Sequence, residues 1–336
     1  MSAGGALTAA VVGLGVGEQH ARAWARAPGC ALRWVYDLDA GRMERVAAEV
    51  GGAPARGYEQ ILADPELDVV SIATFDDLHF GQALAALRAG KHVFCEKPLC
   101  RSLDEARALK AAWAASDRRH LACNLVLRAA PLWRWLREAI AAGELGQVYA
   151  FDGDYLFGRL AKITEGWRKD VPDYSVMQGG AVHLVDLMLW LTGERPRGVH
   201  AAGNRISTAG TAFRYHDFVA ATYTFASGMV GRVTANFGSV HRHQHVVRVF
   251  GTKATFAYDD RGPRLHRSRD PEVAAEALDL APKPASKGEL IAPFAAAISG
   301  ARRSESDLQH ELDVIAVCVA ADRALATGRV EEVEYA

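Results

Sequence analysis

Residues 11–18 read VVGLGVGE and place a glycine-rich turn between an apolar strand and a helix. A tight turn requires one glycine, and a second glycine lets the backbone approach a pyrophosphate whose charge the helix N-terminus stabilises. Gly13, Gly15, Val16 and Gly17 are therefore candidate dinucleotide-binding residues. Because the third glycine stands one place earlier than in the GxGxxG spacing, a glycine-rich turn without a ligand is the alternative interpretation.

Two patterns divide the chain on either side of residues 125–145. Before this stretch, short apolar runs alternate with helix-period segments, as in the βαβ units of a parallel sheet. After it, long alternating strands predominate, and a helix is predicted over about residues 176–191. The sequence therefore predicts an α/β protein. A Rossmann doubly wound parallel sheet occupies residues 1–125, and an α+β domain with a large, mostly antiparallel open sheet occupies residues 126–336.

Composition limits the function classes. The chain has 336 residues, a formal net charge of −1 and 50% hydrophobic residues, which gives no electrostatic reason to expect nucleic acid or an anionic membrane as partner. Its five cysteines form an odd set without a CxxC pair, which is typical of reduced thiols in the cytoplasm. The most apolar helical segment, residues 181–191, is too short to span a bilayer. These observations predict a cytoplasmic protein with no nucleic-acid and no membrane partner.

Asp37 ends the second predicted strand, near the distance beyond the glycines at which a carboxylate accepts hydrogen bonds from the adenosine ribose. Its charge would repel a 2′-phosphate, so NAD is favoured as cofactor. Arg42 nearby keeps NADP possible. A solvated carboxylate at a strand end is the alternative interpretation of Asp37.

The most specific segment is residues 89–98, which read AGKHVFCEKP. This run resembles the AGKHVxxEKP signature of the Gfo/Idh/MocA family of NAD(P)-dependent oxidoreductases. Further segments follow in the family order, among them Gly143 to Gly146 and the helix that carries His183. The resemblance implies hydride transfer between a nicotinamide and a secondary hydroxyl of a sugar, polyol or similar cyclic alcohol. It also implies that the second domain binds substrate and forms a homodimer or homotetramer through the C-terminal sheet. A C-terminal segment of that domain can pack back on the first domain.

Position in the family signature implies roles for several residues. Lys97 is expected to reach the substrate hydroxyl, and with Glu96 it is expected to line the nicotinamide side of the cleft. Thr74 and His79 match positions that line the cofactor. Many family dehydrogenases carry an Asp four residues before the catalytic histidine, whereas Gly179 precedes His183 here. One customary acid/base partner is therefore missing.

Alcohol oxidation requires a base for the hydroxyl proton, and the near-neutral pKa of histidine suits His183 to that task. Lys97 is expected to stabilise the alkoxide or to act as the base itself. Asp186 shares a helix face with His183, so it is a candidate to orient the imidazole or bind substrate.

Further substrate-binding candidates lie outside this helix. Arg168 suits a carboxylate or hydroxyl of the substrate, and Trp167 suits a sugar face, although a Trp-Arg pair packed on itself is nearly as plausible. Tyr155 and Asn124 are candidates for hydrogen bonds to the substrate.

Three histidines at alternate positions invite a metal interpretation: His241, His243 and His245. Zinc ligands normally come from more than one element, so no metal is predicted and a sheet-to-sheet subunit interface is favoured. Two other functions stay open alongside a dehydrogenase. One is a dinucleotide-sensing regulatory protein without catalysis, and the other is an NAD-dependent glycosidase.

Overall fold

The chain folds into two compact units in a computed structural model, which describes residues 6–116, 119–300 and 308–336. The first unit comprises Met1–Val126, Pro284–Leu312 and Ala336, and the second comprises Leu127–Lys283 and Asp313–Tyr335. Residues 284–312 therefore belong to the first unit, although they lie within the stretch that the sequence analysis assigned to the second domain.

Six parallel strands form the sheet of the first unit. In chain order they are β1 (Leu7–Val12), β2 (Cys30–Tyr36), β3 (Ala53–Pro54), β4 (Val69–Ile72), β5 (His92–Cys95) and β6 (Leu121–Cys123). Their order in the sheet is β3-β2-β1-β4-β5-β6, which confirms the predicted Rossmann architecture. The chain reverses direction across the sheet at β1, and dinucleotides bind at the carboxyl ends of strands beside such a point. The two-residue β3 was not predicted.

Five helices connect these strands: α1 (Gly17–Arg26), α2 (Ala40–Val50), α3 (Tyr58–Ala63), α4 (His79–Arg88) and α5 (Leu103–Ala115). A capping box begins α5. The Ser102 hydroxyl accepts from the Glu105 N–H at 3.2 Å, and the Glu105 carboxylate accepts from the Arg101 N–H at 2.7 Å.

The second unit contains a nine-stranded sheet. Its strands are β7 (Val148–Leu156), β8 (Pro196–Asn204), β9 (Phe218–Phe225), β10 (Val230–Asn236), β11 (Gln244–Gly251), β12 (Thr255–Asp259), β13 (Gly262–His266), β14 (Glu276–Ala277) and β15 (Glu331–Glu332). The order is β14-β13-β12-β11-β7-β10-β9-β8-β15. Every pair is antiparallel except β7 with β10, so the mostly antiparallel sheet is confirmed.

The described residues contain five further α-helices: α6 (Pro131–Ala141), α7 (Ala161–Thr164), α8 (Val182–Thr192), α9 (Ile291–Ile298) and α10 (Leu308–Thr327). The helix predicted over residues 176–191 begins instead as a π-helical turn, Met177–Ala181, and continues as α8. Residues 182–191 of α8 are all buried, which fits a helix that is apolar on every side. None of the helices in the described ranges is long and apolar enough to cross a membrane.

The two faces of β7 have different characters. Phe151, Gly153 and Tyr155 are buried on one face, which lies towards α8, because a Cβ on Gly153 would meet the Leu184 side chain at 3.3 Å. The opposite face carries Asp152, which pairs with arginines of the neighbouring strands β10 and β11. The predicted alternation along this strand is confirmed, and it orients Tyr155 inward.

Packing explains why α9 belongs to the first unit. Phe294 of α9 lies edge-on to Trp24 of α1 at a centroid distance of 6.4 Å and tilted against Phe94 of β5 at 5.4 Å. All three rings are buried. Burial of large aromatic side chains is among the strongest apolar contributions to a core, so this contact anchors the returning segment.

Candidate active site

The glycine-rich turn after β1 has the geometry that a dinucleotide requires. Gly13 has a φ of +83°, and a Cβ there would lie 2.5 Å from the Ala73 carbonyl oxygen. A Cβ on Gly15 would meet nothing within 4 Å, so the backbone is open at that point. A Cβ on Gly17 would press against Ala73 and Val11 at 3.0 and 3.2 Å, so this glycine permits the close packing of helix on sheet. The three glycines thus fill the three roles of the motif despite the altered spacing.

Helix α1 follows this turn, and the side chain of its N-cap residue, Val16, makes no capping hydrogen bond. Uncapped N–H groups at a helix N-terminus attract phosphate, because they donate hydrogen bonds and carry partial positive charge. The residues of the turn therefore fit a bound pyrophosphate.

Asp37 lies beside the same turn. Its Oδ2 accepts a hydrogen bond from the Leu14 N–H at 2.5 Å, and its Oδ1 lies 3.6 Å from the Arg42 guanidinium. The carboxylate is thus fixed against the glycine-rich backbone, as expected for a residue that receives the adenosine ribose.

The imidazole of His79 lies between two backbone carbonyl groups. It is fully buried, and its ring nitrogens face the carbonyl oxygens of Pro98 at 2.7 Å and Thr74 at 3.3 Å. The imidazole therefore links the segment after β4 to the cis Lys97-Pro98 peptide. The ring is engaged by backbone, and the prediction that His79 lines the cofactor stays a prediction. Thr74 is half-buried, and its hydroxyl donates to Gln82 at 2.6 Å.

Glu96 is the centre of a buried polar network that the sequence analysis missed. Its Oε1 accepts from the Asn124 amide at 2.7 Å and from the His20 ring at 3.2 Å. The same Asn124 amide donates to the Lys287 carbonyl oxygen at 2.8 Å. Burial acts to raise the pKa of Glu96, but the hydrogen bond and charge of His20, with the charges of Lys97 and Lys287, lower it to about 2.

Asn124 therefore has a supporting role. It is fully buried and donates to groups of its own unit, and substrate binding by Asn124 stays a prediction. His20 lies one helical turn beyond the glycines on α1, and its other nitrogen faces the Ser71 hydroxyl at 3.0 Å. The spacing of His20 behind the glycine-rich turn was the signal that would have found it.

Lys97 follows Glu96 directly and is half-buried. Its backbone N–H donates to Oε2 of Glu96 at 3.3 Å. The network beneath Glu96 therefore also restrains the backbone of the lysine that the family signature implies for proton chemistry.

His183 is placed in the second unit by the π-helical turn and the first turn of α8. It is 6% exposed, and its ring lies edge-on to His245 of β11 at a centroid distance of 5.6 Å. π-helical turns occur frequently at functional sites. Tyr155 contacts the same His245 ring at 5.2 Å, so the structure brings these two predicted residues into one cluster.

Asp186 pairs with a residue that the sequence analysis did not single out. Its carboxylate accepts from Nε of Arg128 at 3.0 and 3.1 Å, and both side chains are buried. Arg128 also lies 6.0 Å from the Trp190 ring. The carboxylate is therefore part of a buried ion pair, and substrate binding by Asp186 stays a prediction.

The Trp167 and Arg168 side chains stack on each other, with the guanidinium carbon 4.3 Å from the ring centroid. Arg168 also donates from Nε to the Tyr174 hydroxyl at 3.0 Å. Both residues of the pair are half-buried. The structure thus contains the self-packed pair that the sequence left as an alternative, and substrate contact by either residue stays a prediction.

The three histidines do not share a strand face. Strand β11 begins at Gln244, so His241 and His243 precede it, and His241 pairs with Asp260 at 3.0 Å. His245 is buried against His183 inside the unit, so its assignment to a subunit interface is wrong. Within residues 6–116, 119–300 and 308–336, no group of three His, Cys, Asp or Glu side chains is arranged to hold a metal ion.

Each of the two units contains a segment that matches a known protein family. Residues 7–123 match an oxidoreductase family with an NAD-binding Rossmann fold, and residues 133–257 match the GFO/IDH/MocA C-terminal domain. The chain belongs to the Gfo/Idh/MocA family. It is an NAD(P)-dependent oxidoreductase, as the segment 89–98 indicated.

Individual members of the Gfo/Idh/MocA family are moderately similar. The 1,5-anhydro-D-fructose reductase of Ensifer adhaerens is 28% identical over 342 residues, which cover 94% of this chain and 96% of that protein. Levoglucosan dehydrogenase of Pseudarthrobacter phenanthrenivorans is 28% identical over 226 residues, 60% of this chain and 58% of that one. A solved levoglucosan dehydrogenase in complex with NADH shares the fold, with a TM-score of 0.84 at 22% identity over 98% of this chain and 100% of that chain.

Proposed function

We propose that this protein transfers a hydride between NAD and a secondary hydroxyl of a sugar, polyol or similar cyclic alcohol. The observation that carries the proposal is the Glu96–Lys97 pair held by a buried polar network, in a chain whose relatives are named for sugar substrates. In the oxidative direction the C–H bond breaks with its electron pair passing to NAD⁺, and the hydroxyl proton passes to a base of the protein. A ketone, NADH and a proton result.

Two side chains carry the proton chemistry in this proposal. His183 takes the hydroxyl proton, and Lys97 stabilises the alkoxide. Tyr155, Trp167 and Arg168 provide substrate contacts. Asn124 and Asp186 act indirectly, because the first supports Glu96 and the second holds Arg128 beside the helix of His183.

Nicotinamide absorbance tests the reaction class. The purified protein is incubated with NAD⁺ and myo-inositol or levoglucosan, and separately with NADH and 1,5-anhydro-D-fructose. A net absorbance change supports a dehydrogenase or reductase. Product release from a glycoside without a net change indicates an NAD-dependent glycosidase, and cofactor binding without turnover indicates a sensor.

The residue roles are tested with His183→Ala and Lys97→Ala. Each is expected to lower kcat by about a hundredfold or more, because a proton-transfer group acts in the transition state. NAD affinity, measured by calorimetry, should change little. His200→Ala, at an exposed position on β8, is the matched control and should retain full turnover. Normal turnover in either active-site variant would remove that residue from the catalytic set.

Assembly and location are further parts of the proposal. We expect a homodimer or homotetramer formed through the C-terminal sheet of a cytoplasmic protein. Light scattering during gel filtration tests the subunit number, and a monomer at micromolar concentration would contradict it.

A further inference from the structure

The Tyr174 hydroxyl group occupies the position at which a side chain of residue 179 would begin. A Cβ built on Gly179 would lie 2.1 Å from the Tyr174 hydroxyl oxygen and 2.6 Å from its ring carbon Cζ. The φ of Gly179 is outside the left-handed region, so the backbone would accept another residue. The Tyr174 phenol, rather than backbone conformation, therefore restricts position 179 to glycine.

Gly179, whose Cβ position this hydroxyl occupies, lies four residues before His183 in the same helical segment. Residues four apart on a helix present their side chains as neighbours, with Cβ atoms about 5–6 Å apart. The intervening turn is the π-helix Met177–Ala181, and π-helical turns are enriched at functional sites. Tyr174 therefore places an O–H group beside the segment that positions the imidazole.

The phenol is held firmly in this place. Tyr174 is 5% exposed, and its ring lies edge-on to Phe213 and Phe237 at centroid distances of 5.8 and 6.5 Å. Arg168 donates to its oxygen at 3.0 Å. Since a guanidinium has no acceptor, the phenolic proton must be directed away from Arg168. Arg168 thus orients Tyr174 as a hydrogen-bond donor.

We propose that Tyr174 is a substrate-contacting residue, whose oriented O–H takes, beside His183, the place of the Asp that the family resemblance implies at position 179. The chemistry that it recognises is an oxygen of the sugar or polyol next to the reacting carbon. This inference rests on the proposed function, because it requires His183 to act on substrate. A phenol donates a hydrogen bond where a carboxylate can only accept one, so the change alters which substrate oxygens are favoured.

The spatial claim is tested by a stability cycle that needs no substrate. Gly179→Asp should lower the thermal midpoint by roughly 5 °C, because the new side chain overlaps the phenol. In the double variant Tyr174→Ala/Gly179→Asp the overlap is gone, so its midpoint should exceed the value expected from adding the two single effects. Gly81→Asp is the matched control, since Gly81 is an exposed helical glycine with nothing within 4 Å of its Cβ position. An unchanged midpoint in Gly179→Asp would overturn the spatial claim.

The functional claim is tested with Tyr174→Phe, which keeps the ring and removes only the hydroxyl. We expect kcat/KM to fall about tenfold, the effect of one hydrogen bond, with little change in the thermal midpoint or in NAD affinity. Tyr149→Phe, on the exposed end of β7, should behave like the unaltered protein. The double variant Tyr174→Ala/Gly179→Asp should recover part of the activity lost in Tyr174→Ala, with an additional ionisation in its pH profile from the new carboxylate.

The outcomes separate this inference from the proposed function. If His183→Ala abolishes turnover while Tyr174→Phe retains it fully, the role of Tyr174 is overturned and the proposed function stands. If His183→Ala retains turnover, the proposed function itself fails.

Discussion

The guanidinium of Arg128 and the carboxylate of Asp186 form a buried ion pair, with Nε of Arg128 3.0 and 3.1 Å from the two carboxylate oxygens. Arg128 lies in the 3₁₀ turn Val126–Ala129, and Asp186 lies on α8 three residues after His183. The pair thus connects the helix that carries the proposed base to a segment 58 residues away in the chain.

Asp186→Ala should therefore lower the free energy of unfolding by about 3–5 kcal/mol, because it leaves the Arg128 charge buried without its main partner. Chemical denaturation measures this change. Asp104→Ala, which removes one partner of the exposed pair with Arg107, is the control and should have almost no effect. Replacing both buried partners with apolar residues should recover much of the loss, and failure of Asp186→Ala to destabilise would contradict the structural role.

The two glycines of the turn are expected to differ in what they support. Gly15→Ala should leave the thermal midpoint unchanged, since its Cβ would meet no protein atom, yet weaken NAD binding at least about tenfold by obstructing the pyrophosphate. Gly13→Ala should lower the midpoint, because of its positive φ and its contact with the Ala73 carbonyl. Calorimetry and thermal melts separate the effects. Normal NAD affinity in Gly15→Ala would place the pyrophosphate elsewhere.

Asp37 should set the choice of cofactor. The unaltered protein is expected to bind NAD more tightly than NADP, because the carboxylate and the 2′-phosphate have like charge. Asp37→Asn retains an oxygen for the Leu14 N–H but removes the charge. The ratio of the NADP to the NAD dissociation constant should therefore fall by on the order of tenfold. Tighter NADP binding to the unaltered protein in a calorimetric titration would refute this assignment.

Stability should fall in mildly acidic solution because of His92. Burial, together with the positive charges of His120 and Arg119, lowers the pKa of His92 from 6.5 to about 4. Its Nδ1 accepts from the His120 N–H at 2.9 Å, and protonation would break this bond. Since the folded-state pKa is below the unfolded value, the stabilisation is complete above pH 6.5 and is lost as the pH falls towards 4.

The expected loss is on the order of 2 kcal/mol, allowing for partial solvent screening. Urea unfolding at pH values across this range measures the loss. The free energy of unfolding should depend less on pH in His92→Gln, whereas the exposed-site control His200→Gln should keep the full dependence. The lowered pKa of Glu96 acts in a separate window, between about 4.5 and 2. If the free energy of unfolding of His92→Gln depends on pH as in the unaltered protein, another group is responsible for the acid sensitivity.

Local sequence patterns were sufficient for the architecture and for part of the site. The glycine-rich turn and the alternation along β7 each depend on residues a few positions apart, and each was predicted correctly. The strand β8 was missed, because residues 196–204 contain Pro and Gly and lack a regular alternation. The π-helical turn was missed for a related reason, since its residues fit an ordinary helical pattern.

By itself the sequence determined the family, the Rossmann fold and the candidates Lys97 and His183, because these follow from short motifs. Only the tertiary structure decided the partners of the buried polar groups. Asn124 lies against Glu96 from 28 residues away, and the Tyr174 phenol takes the space beside Gly179. Buried polar groups must be paired, but many residues can satisfy that requirement. Which residue pairs with a given buried group depends on how distant segments pack. The periodicity of the sequence does not specify this packing.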